Sequence, residues 1–284
     1  MNKQQTNWVT LVGIPNVGKS TLLNALVGQK VSIVTPKPQT TRNLIRGIRI
    51  LKSTQLIFVD TPGIFAPKNQ AGKDMVKLAW QGVAGIGHVF LITDTTQYDS
   101  TDNLSLINKL KQEGVKISLI VNKIDLIRRQ GLLAIINSMK EIYPFENIFL
   151  VSALKQNGLD ELLTYLVQTA IPEPWPFGKD EITDAPFKFQ VAEIIREKVF
   201  INTHEEIPYN VEVETSSIKE EPALTSIFAE ILVKSNGHKK ILIGKGAGLI
   251  KKIGMDSRIE LQKTLNKKVF LSTNVRIVKV VGKP

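Results

Sequence analysis

The first 170 residues switch repeatedly between two hydrophobic rhythms. Short apolar runs at 9–12, 56–60, 89–93, 117–121 and 148–151 have the length and composition of buried strands. Between them, 19–27, 104–113, 132–142 and 159–170 place apolar residues at helical spacing. This alternation predicts a doubly wound, mostly parallel α/β sheet whose ligands sit beyond the carboxyl ends of the strands. Residues 43–50 read as one further strand, an antiparallel edge.

The texture then changes. Residues 171–187 hold Pro172, Pro174, Pro176 and Pro186, with Trp175 and Phe177 between them. Such a stretch is a stiff linker. Beyond it a helix is expected over 188–200, strands over 209–215 and 226–233, a helix over 247–265 and a last strand over 269–281. The chain thus divides into a first domain at 1–170, a linker at 171–187 and a small α+β domain at 188–284. There is no internal repeat.

The ends of the predicted strands carry the chemistry. Gly13-Ile-Pro-Asn16-Val17-Gly18-Lys19-Ser20-Thr21 matches G-x-x-x-x-G-K-[ST] and lies between a strand and a helix. In that setting backbone N–H groups and the helix N-terminus surround phosphates, Lys19 reaches the β- and γ-phosphates, and the Ser20 hydroxyl ligates Mg²⁺. Asp60-Thr61-Pro62-Gly63 closes a second strand. Its carboxylate suits Mg²⁺ held through water, and the Gly63 N–H suits the γ-phosphate. Asn122-Lys123-Ile124-Asp125 closes a third. Asp125 can accept from guanine N1–H and the 2-amino group, neither of which adenine offers, so GTP is favoured over ATP. Ser152-Ala153 ends the last strand of the set, where a backbone N–H can meet guanine O6.

Between the first two motifs lies Gln39-Thr40-Thr41-Arg42, within a Pro-rich segment. A threonine that ligates Mg²⁺ would make this a γ-phosphate switch; Thr41 is favoured, with Thr40 the alternative. Lys19, Thr41 and Gly63 are the catalytic candidates. Ile64 follows the switch glycine, where Ras-like proteins carry a water-orienting glutamine. Slow intrinsic turnover is therefore expected, with the water placed by backbone, another residue or a partner. Asn16 is a candidate ligand for K⁺ beside the phosphates; the alternative is that it only shapes the loop.

Charge alters the picture of the second domain. The chain has a formal net charge of +11. From Lys234 onward there are thirteen Lys/Arg against Asp256 and Glu260, so this end carries the whole excess and calls for an anionic partner. Within it, Gly244-Lys245-Gly246-Ala247-Gly248 leads towards a helix bearing Lys251 and Lys252. From the sequence, 241–243 reads as a strand entering this loop. KH domains use such a loop, G-x-x-G, to clamp about four nucleotides of single-stranded RNA. Alanine at 247 departs from that pattern, so either the loop shifts by one or its contact with RNA changes. Trp80, His88, His204 and His238 show no ligand spacing, and no transition-metal site is expected. The chain has no cysteine, which excludes disulfides and fits a reducing cytosol. It shows neither a signal-peptide pattern nor an apolar run approaching the roughly 20 residues of a spanning helix.

Taken together, the motifs GIPNVGKST, KPQTTR, DTPG, NKID and VSA, the Pro-rich linker, AEIIREK at 192–198 and HKKILIGKGAGLIKKIG resemble the Era family of bacterial GTPases across nearly the whole chain. The resemblance implies a GTPase domain followed by a type II KH domain, and 16S rRNA of the small ribosomal subunit as partner. It also implies a role in 30S assembly and 16S rRNA processing, a monomeric state, and a cytoplasmic location with peripheral contact to the inner membrane face. Two other readings stay open: a membrane-surface regulatory GTPase, and a GTP-bound RNA chaperone with negligible turnover.

Overall fold

The computed structural model describes residues 3–38, 40–64, 70–83 and 87–278. Gln39 of the switch motif and 279–281 of the last expected strand lie outside them. The chain forms two units, Met1–Asp184 and Ala185–Pro284.

In the first unit, β1 (Gln5–Val12), α1 (Lys19–Val27), β2 (Ile45–Leu51), β3 (Thr54–Asp60), α2 (Gln70–Val83), β4 (His88–Asp94), α3 (Thr101–Gln112), β5 (Ile117–Asn122), α4 (Arg129–Ile142), β6 (Ile148–Leu150) and α5 (Leu159–Gln168) follow in order. The sheet runs β2-β3-β1-β4-β5-β6. Every pairing is parallel except the β2–β3 hairpin at the edge. Central strands are apolar on both faces because helices cover both: β3 and β5 are buried at every position. Helix boundaries follow local chemistry. The Ser100 side chain accepts from the Asn103 N–H to start α3, with Asp102 in the first turn and Lys109 and Lys111 in the last, complementing the helix dipole. Helix α2 escaped the periodicity reading: it follows a turn-rich motif, and its sequence QAGKDMVKLAWQGV carries two glycines and few strong apolar residues.

The Pro-rich stretch is a strap on this unit as far as Asp184. Ile171 bridges to Thr6. The Trp175 indole N–H donates to the carbonyls of Gln5 (3.1 Å) and Ser53 (3.2 Å). The Gln55 side chain exchanges two hydrogen bonds with the Phe177 backbone, and the Ile48 N–H donates to the Ile182 carbonyl at 2.8 Å.

The second unit runs α6 (Phe187–Asn202), β7 (Val211–Glu220), β8 (Leu224–Val233), α7 (Asn236–Ile243), α8 (Gly248–Leu265) and β9 (Lys268–Ile277). Its sheet is β7-β8-β9, antiparallel then parallel. One face packs against the helices through Val191, Ile195, Val199, Ile227, Ile231, Leu242, Ile253 and Leu261. Residues 241–243, expected as a strand, are the end of α7. Ser235 caps that helix by accepting from the His238 N–H at 3.2 Å, and only Leu242 of the final apolar triplet enters the core deeply. A short apolar triplet cannot by itself distinguish the two states; the cap upstream decides.

Candidate nucleotide site and nucleic-acid groove

β1 delivers the chain into the loop 13–18, and α1 leaves it. Asn16 (φ 67°) and Gly18 (φ 95°) take left-handed backbone. That curls the loop and turns N–H groups inward, an anion nest at a helix N-terminus. Gly18 has a second reason to be glycine: a Cβ there would stand 2.4 Å from Asn122 Nδ2. Lys19 is buried, and its ammonium donates to the carbonyls of Gly13 (3.0 Å) and Ile14 (2.9 Å). One of its three hydrogens is left for a phosphate oxygen. Burial pushes Lys19 down to about 8, partly offset by the Asp60 carboxylate.

Four oxygen-bearing side chains converge beside Lys19. Ser20 Oγ donates to Asp60 Oδ2 (2.7 Å) and lies 2.9 Å from Thr41 Oγ1; Ser32 Oγ donates to the same carboxylate oxygen at 3.2 Å and Thr41 Oγ1 at 3.5 Å. Asp60 Oδ1 is buried without a hydrogen-bond partner among the described residues. Burial pushes the Asp60 carboxyl up, opposed by Lys19 and the three hydroxyls. An unpaired carboxylate oxygen beside two hydroxyls is a hard, all-oxygen donor set, which suits Mg²⁺. Thr40 also lines the cavity, but its hydroxyl pairs with Thr35 Oγ1 (2.6 Å) and the Lys37 carbonyl (2.8 Å). Ser32 was not singled out from the sequence, where it is one serine in a loop.

The Asp60–Gly63 motif is locked to the strands beneath it. Thr61 is buried and donates to the Leu11 carbonyl at 2.8 Å, so its hydroxyl anchors the motif rather than facing a ligand. Pro62 is buried as well. Gly63 packs on Pro15, where an added Cβ would meet Cγ at 2.9 Å. The Ile64 N–H donates to the Gly13 carbonyl at 3.1 Å, and its side chain, 4% exposed, lies in the core. A cavity of about 430 Å³ is lined by Asn16, Gly18, Lys19, Ser20, Thr21, Thr41, Gly63 and Lys123.

Asp125, Ser152 and Ala153 lie outside that cavity lining and join it through Asn122. The Asn122 side chain donates to the Val17 carbonyl (2.8 Å) and accepts from the Ala153 N–H (3.0 Å), tying the phosphate loop to the base end. The Ala153 N–H, one of the backbone donors at this strand end, is therefore already engaged, and a base carbonyl there would share it as a three-centre bond. Ser152 Oγ donates to Asp125 Oδ1, which fixes the carboxylate's orientation. Lys123 (φ 60°) donates to the Asn16 carbonyl at 2.7 Å and to Asp94 Oδ2. Asp94, at the end of β4, also accepts from the Thr96 N–H and hydroxyl. Burial pushes its carboxyl up, but the bonds from Lys123 and Thr96 outweigh burial and hold it below the ordinary value. Asp94 was missed in the sequence reading; its signal is an acid at a strand's carboxyl end within an apolar run.

In the second unit the glycine-rich loop joins α7 to α8. Gly244 (φ 70°, ψ 174°) takes a conformation essentially reserved for glycine. Gly246 and Ala247 are both left-handed, at φ 58° and 60°, while Gly248 is helical at φ −64°. Ala247 itself thus takes the left-handed backbone that glycine adopts without cost. Lys245, Lys251 and Lys252 are exposed. A groove of about 430 Å³ runs between α8 and β9, lined by Ile250, Lys251, Gly254, Met255, Arg258, Leu271, Ser272 and Thr273. It has an apolar floor and a basic rim, the combination that accepts bases with phosphates alongside. Lys252 does not line it. Ile250, Met255 and Arg258 were not among the sequence candidates, although their spacing marks one face of α8.

Comparison with known proteins matches both units. Residues 8–123 match a family described as 50S ribosome-binding GTPase, and residues 206–280 match the KH domain. GTPase Era of Ruminiclostridium cellulolyticum is 41% identical over 274 residues, 96% of this chain and 92% of that protein. GTPase Era of Geobacter metallireducens is 41% identical over 281 residues, 98% and 94% of the two chains. A crystal structure of Era in complex with MgGDPNP and nucleotides 1506–1542 of 16S ribosomal RNA superposes with a TM-score of 0.92 at 35% identity, covering 98% of this chain and 95% of that one. A variant of Aquifex aeolicus Era bound to GDP·AlF4⁻ superposes with a TM-score of 0.91 at 36% identity over the same shares.

Proposed function

The chain belongs to the Era family of GTPases, and from that premise we propose that it is a nucleotide-gated rRNA-binding protein of the small ribosomal subunit. It binds and slowly hydrolyses GTP in its first unit. It grips 16S rRNA near the 3′ end with its KH unit, and acts in 30S assembly and 16S rRNA processing. The observation that carries the nucleotide half is the Asn122–Ala153 and Ser152–Asp125 pairing, which holds an acceptor carboxylate ready for the guanine edge.

Phosphoryl transfer needs positioning and charge neutralisation. Mg²⁺ would be held by Ser20 and Thr41 directly and by Asp60 through water, and would supply positive charge at the β- and γ-phosphate oxygens. The remaining Lys19 hydrogen and the N–H groups of 13–20 hold the phosphates. Gly63 donates to the γ-phosphate, and its backing by Pro15 links that contact to the phosphate loop. Ile64 takes no chemical part, because its side chain is buried in the core. Water is placed by backbone, another residue or a partner, and turnover is slow. Asn16, in the cavity lining, would be the residue to hold K⁺, which would supply positive charge beside the phosphates.

The protein works as a cytoplasmic monomer. Its basic second unit also gives it a peripheral hold on the anionic face of the inner membrane; among the described residues no helix is long and apolar enough to cross it. Multiple-turnover phosphate release from GTP, in KCl and in NaCl and with and without 16S 3′-end RNA, tests this reading. Slow release that rises in K⁺ and responds to RNA supports it. A rate indifferent to both overturns the coupling and the cation assignment.

A further inference from the structure

The sheet of the second unit has a face turned away from the helices. Along β8 and β9, Ile227, Ala229, Val269 and Val275 are buried in the core. The alternate positions point the other way, where Phe228 is 40% and Phe270 50% exposed. Parallel register sets Phe228 opposite Ser272 and Phe270 opposite Ser226. The two rings are therefore diagonal neighbours, with centroids 5.9 Å apart and planes inclined by 60°. Alternation in a sheet with one solvated face would ordinarily put polar residues there. Two exposed phenylalanines on adjacent strands depart from that pattern.

The surroundings indicate the ligand. Lys219 pairs with Ser226 across β7 and β8, and Lys268 lies two residues before Phe270; both are exposed on this face. The acids of the face stand at its other end, where Arg276 binds Glu230 (2.9 Å) and Glu214 (3.6 Å). Lys219 and Lys268 thus stand beside the rings on this face, Glu220 and Glu221 follow at the β7–β8 turn, and small hydroxyl residues separate the rings. A protein interface would call for a broader apolar core with charge depleted at its centre. Aromatic rings flanked by lysines suit unpaired bases, which stack on the rings while their phosphates meet the ammonium groups. β9 is also the edge strand of its sheet, and its residues Leu271, Ser272 and Thr273 line the groove against α8. A strand of RNA leaving the groove can pass round that edge onto the aromatic face without crossing another element of the sheet.

We infer that Phe228 and Phe270 form a second RNA platform that stacks unpaired bases continuing from the α8–β9 groove. This rests on the RNA-binding reading of the unit. The test is fluorescence anisotropy with single-stranded RNA of about four nucleotides, the length a KH loop clamps, and of about twelve. Wild type is compared with Phe228→Leu, Phe270→Leu and the double variant. Leucine keeps apolar bulk and removes the stacking face. The expected result is about tenfold weaker binding of the long RNA per ring removed, with the short RNA, GTP hydrolysis and thermal unfolding unchanged. Tyrosine at both positions, which preserves stacking, restores the long-RNA affinity and serves as the working pair if leucine impairs folding. Equal affinity of wild type and double variant for the long RNA overturns the inference while leaving the groove intact. Failure of both RNAs to bind wild type overturns the reading on which it rests. Unchanged RNA affinity with loss of self-association in sedimentation would assign the face to a second copy of the chain and likewise overturn the inference.

Discussion

At position 247 a β-carbon sits where the backbone turns left-handed, with φ 60°. An L-residue pays about 1–2 kcal/mol for that conformation, and glycine gives back part of the gain through unfolded-chain entropy. Ala247→Gly should therefore stabilise the second unit by about 1 kcal/mol, read as a higher denaturation midpoint for that unit's transition, with RNA binding retained. A lower midpoint would mean that the alanine methyl makes a contact worth more than the strain. Single residues are legible in a sequence where chemistry forces a choice of type. The structure brings Lys19, Ser20 and Asp60 together, an ammonium, a hydroxyl and a carboxylate, the types that phosphate and magnesium chemistry call for. From the sequence Thr41 is favoured with Thr40 close behind, because both carry the same hydroxyl. Their separation comes from backbone direction, which turns Thr40 onto Thr35 and Lys37 and Thr41 onto Ser20.

Element ends carry the coupling between motifs. The clasp of Asp94, at the end of β4, on Lys123, just beyond β5, fixes one wall of the nucleotide site. The Asp94 carboxyl is held below its ordinary value, so its stabilising contribution is fully present above the unfolded value of about 3.9 and is lost as pH falls through the folded one. Asp94→Asn should cost about 1–3 kcal/mol at neutral pH, and the gap between variant and wild type should shrink as pH drops below about 4. Denaturant melts across that range check the sign; a gap that widens in acid contradicts it. At this scale the sequence was legible wherever a strand or helix had a clear period. It was not legible for α2, with its interior glycines, or for α7, whose Ser235 cap outweighs the strand-like look of its last three residues. The partners that Asn122 and Asp94 find across strand ends were also hidden, since they depend on which strands are neighbours in the sheet.

For the molecule as a whole, two units of different charge serve two anionic ligands. The excess of +11 lies from Lys234 onward, so RNA affinity should fall steeply with salt. If Lys245, Lys251, Lys252 and Arg258 each meet a phosphate, the slope of log K against log salt for single-stranded RNA should be about −3, and Lys251→Gln should flatten it by about 0.7. Binding isotherms at several KCl concentrations give both values; a slope near zero would mean that base stacking alone holds the RNA. The claim under everything else is that Asp125, oriented by Ser152 and joined through Asn122 to the phosphate loop, selects guanine. Calorimetric titration of GTP and ATP into the full chain with Mg²⁺ tests it most directly. The account predicts GTP binding that exceeds ATP binding by at least about a hundredfold; comparable affinities for the two nucleotides would contradict it.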